Sequence, residues 1–510
     1  MGGRPAPASR PFRKAGLSTA HRVCQKGFPL IGSALRLVAY PPLEPLSSRM
    51  PMPLTPTISS SPSVPPAMPG ANRAGLVRTA SSRIAIWPIV LVIYATLFPR
   101  EMSIHVGENY IYMDRLALLL TLPWVLRHVL RGMIRFVICD WLVLFTAVWV
   151  VVALWVVHGF ERALISGLSI SFDAVAGYYL ARVSFRSLDD IRRTLIICAP
   201  AFFVAALSLP IESLTHHFYV RPFFASIFGG LHYAGGTDNI NDVLRNDVRI
   251  GLMRAYGPWA HPILAGLHLA TLLGIYWKSS IRGWPFWLAV AAAGMSLFTV
   301  SSAAVLALGL IISALAYDWL TTRVKQLSWP LLMFALAVSL ILISLITKSG
   351  IVALLIRFVT LDPGTGYFRV AIWQFGSESV WAHPWFGIGF DAYERPQWML
   401  TSSVDAHWLL YAMRYGLPAS LSLLLACIFA VAGLVRAEKL ANVRDASFYR
   451  GIMISLIVLV IMAFTVALQG GILTWFTILL GGCVACAQHT YTSDWALRAR
   501  HYLRKTMPTV

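Results

Sequence analysis

Charge is scarce in this sequence. Asp, Glu, Lys and Arg make up only 13% of the residues, against about 25% in a soluble domain. Acidic residues are the scarcer sign, 22 against 42 Lys and Arg. A disordered chain lives on its charge, and a soluble enzyme covers its surface with it, so both are excluded. The 57% apolar content excludes them from the other side. Cysteine is equally thin: Cys24, Cys139, Cys198, Cys427, Cys483 and Cys486 all fall outside the long loops described below. No disulfide framework is expected from that placement. Cys483 and Cys486 have the CxxC spacing, but they sit in an apolar run beside Gly481-Gly482, where small-residue helix packing explains them better than a redox or zinc site. A chain of 510 residues with mean hydropathy +0.67 is then left with one class, the polytopic helical membrane protein.

Apolar runs bounded by Arg, Lys, Pro or Gly lie near 84–98, 114–130, 136–157, 163–182, 192–210, 258–277, 284–300, 302–319, 329–347, 408–435, 450–468 and 471–488. They predict an all-α bundle of about 12 spanning helices at roughly 20 residues each. The count drops to eleven if the seventh and eighth runs, split only by Val300-Ser301-Ser302, are one. With the N-terminus placed in the cytoplasm, thirty of the 42 basic residues fall on the inner side, among them Arg127, Arg182, Arg192, Lys278, Arg323 and Arg450. This is the positive-inside pattern. It accounts for the net charge of +20 through anionic lipid and membrane potential. Nucleic acid is not needed as a partner.

Residues 1–80 differ from the rest. They are rich in Pro, Ser and Arg and carry one acidic residue, Glu44, so a disordered basic cytoplasmic tail is expected. A start at Met50, Met52 or Met68 is the alternative. The main domain is expected over 84–488, with a second basic cytoplasmic tail over 489–510.

Two connections on the non-cytoplasmic side are long, 211–257 and 348–407, and functional residues favour loops held by a rigid scaffold. The second contains Thr365-Gly-Tyr-Phe-Arg369-Val-Ala-Ile-Trp373, His383-Pro-Trp-Phe-Gly387-Ile-Gly389, Arg395-Pro and Asp405-Ala-His407-Trp. Arg369 and Trp373 share a face if that stretch is helical. The two glycines around Ile388 suit a turn that lets backbone come close to a neighbour. Asp405 is placed to cap the tenth span, with His407 in its first turn and Arg414 inside it. The first loop ends in Arg249-Ile-Gly-Leu-Met-Arg254-Ala-Tyr-Gly257 and His261-Pro262.

Arginine is always charged and offers a fork that fits phosphate. A histidine at a helix N-terminus stays neutral and can take a hydroxyl proton. The combination suits a phosphate-bearing substrate and an attacking hydroxyl. Neither loop has a DxD, an HExxH or a carboxylate cluster, so no metal and no cofactor are expected.

These motifs, in this order, with His407-Trp-Leu-Leu followed by Gly416-Leu-Pro418, resemble the O-antigen ligase / polysaccharide polymerase (Wzy-like) membrane family. The likeness is greatest to bacterial exopolysaccharide polymerases and runs from about residue 110 to 488. The resemblance implies a GT-C-like glycosyltransferase of the bacterial inner membrane, with two long periplasmic loops and both termini cytoplasmic. Its donor would be an undecaprenyl-diphosphate-linked glycan and its acceptor a second glycan or a lipid-linked one. The lipid bilayer and a chain-length regulator or flippase would be further partners. The family's loop Arg and His map onto Arg369 and His407, and its earlier Arg onto Arg254. Arg395, Arg414, His261 and Asp405 complete the expected diphosphate- and substrate-binding set. Polymerisation of lipid-linked repeat units is the first expectation. Ligation to lipid A–core, and a lipid-linked oligosaccharide flippase, are the alternatives.

Overall fold

The helices of this chain are apolar on nearly every face, as expected of segments that meet lipid on one side and each other on the rest. The computed structural model describes residues 86–106, 109–229, 248–346, 363–399 and 402–506. The expected tail over 1–80 lies outside the described residues. The structure is 76% helical, and the strands among the described residues form two short antiparallel hairpins.

In chain order the helices are α1 (Trp87–Ala95), α2 (Met113–Leu130), α3 (Ile138–His158) and α4 (Phe160–Ser184). There follow α5 (Leu188–Thr215), α6 (Val220–Phe228), α7 (Pro262–Lys278), α8 (Trp284–Met295), α9 (Ser302–Arg323) and α10 (Trp329–Ile346). The last are α11 (Pro363–Ala382), α12 (His407–Tyr415), α13 (Leu417–Leu440), α14 (Val443–Met462) and α15 (Gly471–Thr506). Hairpin β1–β2 (Ser103–Val106, Asn109–Tyr112) precedes α2, and β3–β4 (Val248–Arg249, Leu252–Met253) precedes α7. The chain is an all-α polytopic membrane protein.

Seven of these helices, α3, α4, α5, α9, α13, α14 and α15, are long and apolar enough to cross a membrane. The other expected runs also form helices, but α1 has nine residues, α7 has 17, and α2 carries Asp114, Arg115 and Arg127. The seventh and eighth runs are separate helices, because Val300 between them adopts a left-handed φ of 44°. The last helix continues to Thr506, through the region expected to be a tail.

One expected span is broken. The run 408–435 is divided at Gly416, whose φ of 83° ends α12 and starts α13. A side chain there would place its Cβ 1.9 Å from the carbonyl oxygen of Trp385, so only glycine fits. Arg414 therefore stands in the last turn of a nine-residue helix, before α13 begins.

The central helices interlock closely. Gly177 and Gly481 let α4 and α15 approach until added Cβ atoms would strike Thr477 and the carbonyl of Tyr178. At one end of the bundle, ion pairs with at least one buried partner tie the helices together. Arg182 pairs with Asp140 at 2.7 Å and reaches Gln488; Arg192 bridges Asp189 and Asp445; Asp318 joins Lys278 and Arg450. Most of these basic residues are ones the sequence assigns to a single side. The described parts of the two long connections follow the end of α5 and precede α13, away from these pairs.

Candidate functional site

Each candidate arginine is delivered by a short, locally determined element. Arg249 ends strand β3 and Arg254 directly follows β4 in hairpin β3–β4, whose two-residue turn, Ile250-Gly251, has φ of 54° and 75°. Two successive positive φ values are the type I′ geometry that suits the twist of a tight hairpin. The segment after it is held by a carboxylate. Glu212, fully buried at the end of α5, accepts from Tyr219 and Val220 N–H on one oxygen and from Tyr256 and Gly257 N–H on the other, at 2.8–3.3 Å. One side chain thus fixes both arms of the first loop and with them the place of Arg254, which is buried.

Arg369 and Trp373 lie one turn apart on α11. The Trp373 indole N–H donates to the Phe464 carbonyl at 2.9 Å, and its ring stacks on Phe464. Trp408, adjacent to His407, meets the same Phe464 ring and donates to Val460 O. Gly376 lets α11 lie against Leu409 and Met413 of α12. A separate small core, containing Ile372, Tyr393, Met399, Val404, Ala406 and Leu409, seals this assembly. The two helices that carry Arg369 and His407 are therefore packed on each other and on the α14–α15 connection.

Electrostatics brings the two loops together. Burial makes the Arg369 guanidinium a poorer base than usual, and the like charges of Arg249 and Arg254 add to this, while Asp405 pulls the other way. A guanidinium keeps its proton regardless. Among the described residues Arg249, Arg254 and Asp405 lie within electrostatic reach of Arg369, whose buried Nε has no hydrogen-bond partner. A buried guanidinium with an open N–H suits an anionic or polar oxygen ligand.

His407 is the first residue of α12 and 1% exposed. Its backbone N–H donates to Ala463 O at 2.8 Å. Its ring lies 4.5 Å from that of Tyr411, and neither ring nitrogen has a hydrogen-bond partner. Complete burial pushes its pKa down to about 3, so the imidazole is neutral. An unanswered buried N–H costs about 1–3 kcal/mol, a cost that a bound hydroxyl would relieve.

The remaining expected residues are placed differently. Asp405 does not cap the helix that follows: the N-cap is Ala406, without a side-chain bond, and Asp405 accepts from Ser403 Oγ while facing Arg369. His261 is itself a cap, its Nδ1 accepting from Ile263 N–H at 3.2 Å. Arg395 holds its own loop through Met399 O, with its charge near Tyr393. Arg414 lies over the Phe390 ring at 5.5 Å, as Arg162 does at 6.0 Å. The turn at Gly387 and Gly389 does bring backbone close, but to protein: Ile388 and Gly389 N–H cap the Met413 and Arg414 carbonyls at the end of α12. His383 is exposed.

Sequence reasoning did not single out Tyr393. Its buried hydroxyl has no partner and feels both Arg395 and Asp405. Nor did it find His158, whose Nε2 accepts from Phe390 N–H at 2.8 Å and ties α3 to the loop. Both contacts span more than a hundred residues or depend on irregular loops, and no local pattern announces them.

The fold defines a polytopic membrane protein whose two long connections bring buried Arg254 and His407 and half-buried Arg369 to candidate positions. Residues 286–424 match the family model described as O-antigen ligase, just over a quarter of the chain, from α8 into α13. This match supports the O-antigen ligase and Wzy-like family, which implies a glycosyltransferase-like membrane enzyme acting on lipid-linked glycans. Arg369, Arg395, Asp405, His407 and Arg414 fall within the matched segment; Arg254 and His261 precede it. No curated protein matches the chain.

Proposed function

We propose that this protein polymerises undecaprenyl-diphosphate-linked repeat units at the periplasmic face of the bacterial inner membrane. The observation that carries the reading is the convergence of Arg249, Arg254 and Arg369 beside Asp405, two residues from the neutral, unpartnered His407. In this mechanism the arginines hold the diphosphate. The acceptor hydroxyl oxygen attacks the anomeric carbon, its proton passes to a ring nitrogen of His407, and the bond from that carbon to the diphosphate oxygen breaks. The carrier leaves as lipid diphosphate, its new negative charge spread over the guanidinia. Both termini would then lie in the cytoplasm and the two long loops in the periplasm.

The description of the matched family favours a second reading, ligation of the glycan to a lipid acceptor. The two differ in acceptor, not in the chemistry of the site. Purified protein in nanodiscs, given the lipid-linked donor with either a second lipid-linked unit or lipid A–core, separates them by which product forms. Arg369→Ala should lower turnover by about 10²–10³-fold with either acceptor. Undiminished product from that variant would remove Arg369 from the site.

A further inference from the structure

The short helix α6 reverses the usual order of a helix at a protein surface. Against water, a helix turns its charge outward and its apolar side chains inward. In α6 the single charged side chain, Arg221, is buried. The outward face carries Tyr219, Phe223, Ser226 and Ile227, spaced i, i+4, i+7 and i+8. Phe223 and Ile227 are 60% and 59% exposed, and Phe228 extends the same apolar surface. Three ties fix this orientation. Arg221 pairs with the buried Glu101 at 2.7 Å. Glu212, in the last turn of α5, accepts the Tyr219 and Val220 N–H groups at the start of α6. Phe218, just before the helix, is buried edge-on against Tyr256 at 5.4 Å, and the Arg221 guanidinium lies 5.9 Å from the same ring.

The same ties set the depth of α6. Helix α5 is long and apolar enough to cross a membrane. Its Val204, Leu207, Ile211 and Leu214 share one exposed face that runs into the last turn. Lipid covers such a face in a spanning helix. Glu212 belongs to that last turn, so its bonds hold the start of α6 where the lipid-facing surface of α5 ends. The outward face of α6 carries no charge, which leaves nothing to pair with an acidic or basic protein surface. Aromatic and aliphatic side chains with a tyrosine at the edge suit the boundary between headgroups and acyl chains. The arm that carries Arg254 hangs from the same carboxylate, because Tyr256 and Gly257 N–H donate to the other Glu212 oxygen.

From this we infer that α6 lies in the plane of the membrane interface, Phe223 and Ile227 among acyl chains, and holds the Arg254 arm at the depth of a lipid headgroup. The part concerning Arg254 rests on the transfer reading above; the part concerning lipid does not. Full-length protein in nanodiscs of phosphatidylethanolamine and phosphatidylglycerol carries a nitroxide on Phe223→Cys, Ile227→Cys or His217→Cys. All three positions are exposed, so the variants keep the core intact. Identically treated wild type supplies the background from native cysteines, five of which are buried. Oxygen concentrates among acyl chains and a nickel chelate stays in water. Collision with oxygen should exceed collision with nickel at 223 and 227, and fall below it at 217. Nickel access at 223 and 227 equal to that at 217 overturns the anchor. Shielding from both reagents overturns it too, because a protein surface would then cover the face. In the transfer assay, Phe223→Asp should raise half-saturation for the lipid-linked donor by about tenfold or more, beyond any fall in kcat, and Phe223→Trp should restore it. Unchanged half-saturation in Phe223→Asp overturns the link to Arg254. A wild type that transfers nothing sinks the transfer reading and that link with it, while the nitroxide data still decide the anchor.

Discussion

Replacing Glu212 by Gln tests how the first loop is built. The carboxylate accepts four backbone N–H groups, two on each oxygen, while fully buried. Glutamine keeps one accepting oxygen and turns an NH₂ toward two donors. Two amides are then stranded, at about 1–3 kcal/mol each, for a local cost of roughly 2–6 kcal/mol. If the NH₂ faces the Tyr256 and Gly257 amides, the arm carrying Arg254 loosens, while the ion pairs at the other end of the bundle are untouched. Misplacement of a positioning group by about 1 Å can cost on the order of 10² in rate. Single-turnover consumption of lipid-linked donor in nanodiscs should fall by about that factor. Hydrogen exchange at Tyr256 and Gly257, or at Tyr219 and Val220, should quicken by at least about tenfold, equivalent to about 1.4 kcal/mol. Faster exchange at 256 and 257 with unchanged turnover would refute the claim that this arm serves the reaction. Unchanged exchange at all four amides would refute the bonding itself.

His407→Gln should abolish most transfer, and the pH response of the wild type should be informative. The unfolded imidazole takes a proton below about 6.5, whereas the folded one resists until about 3. Neutral His407 therefore carries its stabilising share above pH 6.5, and that share is lost as pH falls toward 3. Melting curves from pH 7 to pH 5 should drop more for wild type than for His407→Gln, and the wild-type rate should show no His limb near 6.5. Gly387→Ala places a Cβ 2.3 Å from the Met413 carbonyl at a φ of 67°. The left-handed backbone alone costs about 1–2 kcal/mol, so thermal stability should fall and α12 should become susceptible to limited proteolysis. Asp140→Asn strands Arg182 in a pair whose side chains are 2% and 0% exposed, at about 3–5 kcal/mol. Its melting temperature should fall while turnover per folded molecule stays at the wild-type value, because that end of the bundle takes no part in the chemistry.

Much of this was legible in sequence. Apolar runs bounded by charge and turn residues located the long helices, since a membrane leaves the backbone little choice but to satisfy its own hydrogen bonds. The break at Gly416 was not read from the sequence, because the residues on both sides of it form one continuous apolar run. What decides it is the Trp385 carbonyl pressed against Gly416, a contact across thirty residues. In the candidate site, the residue types on the second loop pointed to Arg369 and His407, and the first loop to Arg254. The roles of the neighbours were hidden. His261 and the Gly387 turn have functional residue types, yet they serve as a helix cap and a carbonyl clamp. Glu212 carries no motif for its four amides, because those donors come from two segments that meet only in the fold.

The central claim is that Arg254 and Arg369, from different loops, grip one diphosphate. A double-mutant cycle measures it most directly: single-turnover consumption of lipid-linked donor by wild type, Arg254→Ala, Arg369→Ala and the double variant. Groups that share one ligand are coupled, by about 0.5–3 kcal/mol, so the double variant should be far less impaired than the product of the two single losses. Losses that simply multiply would place the two arginines on separate sites and contradict the account.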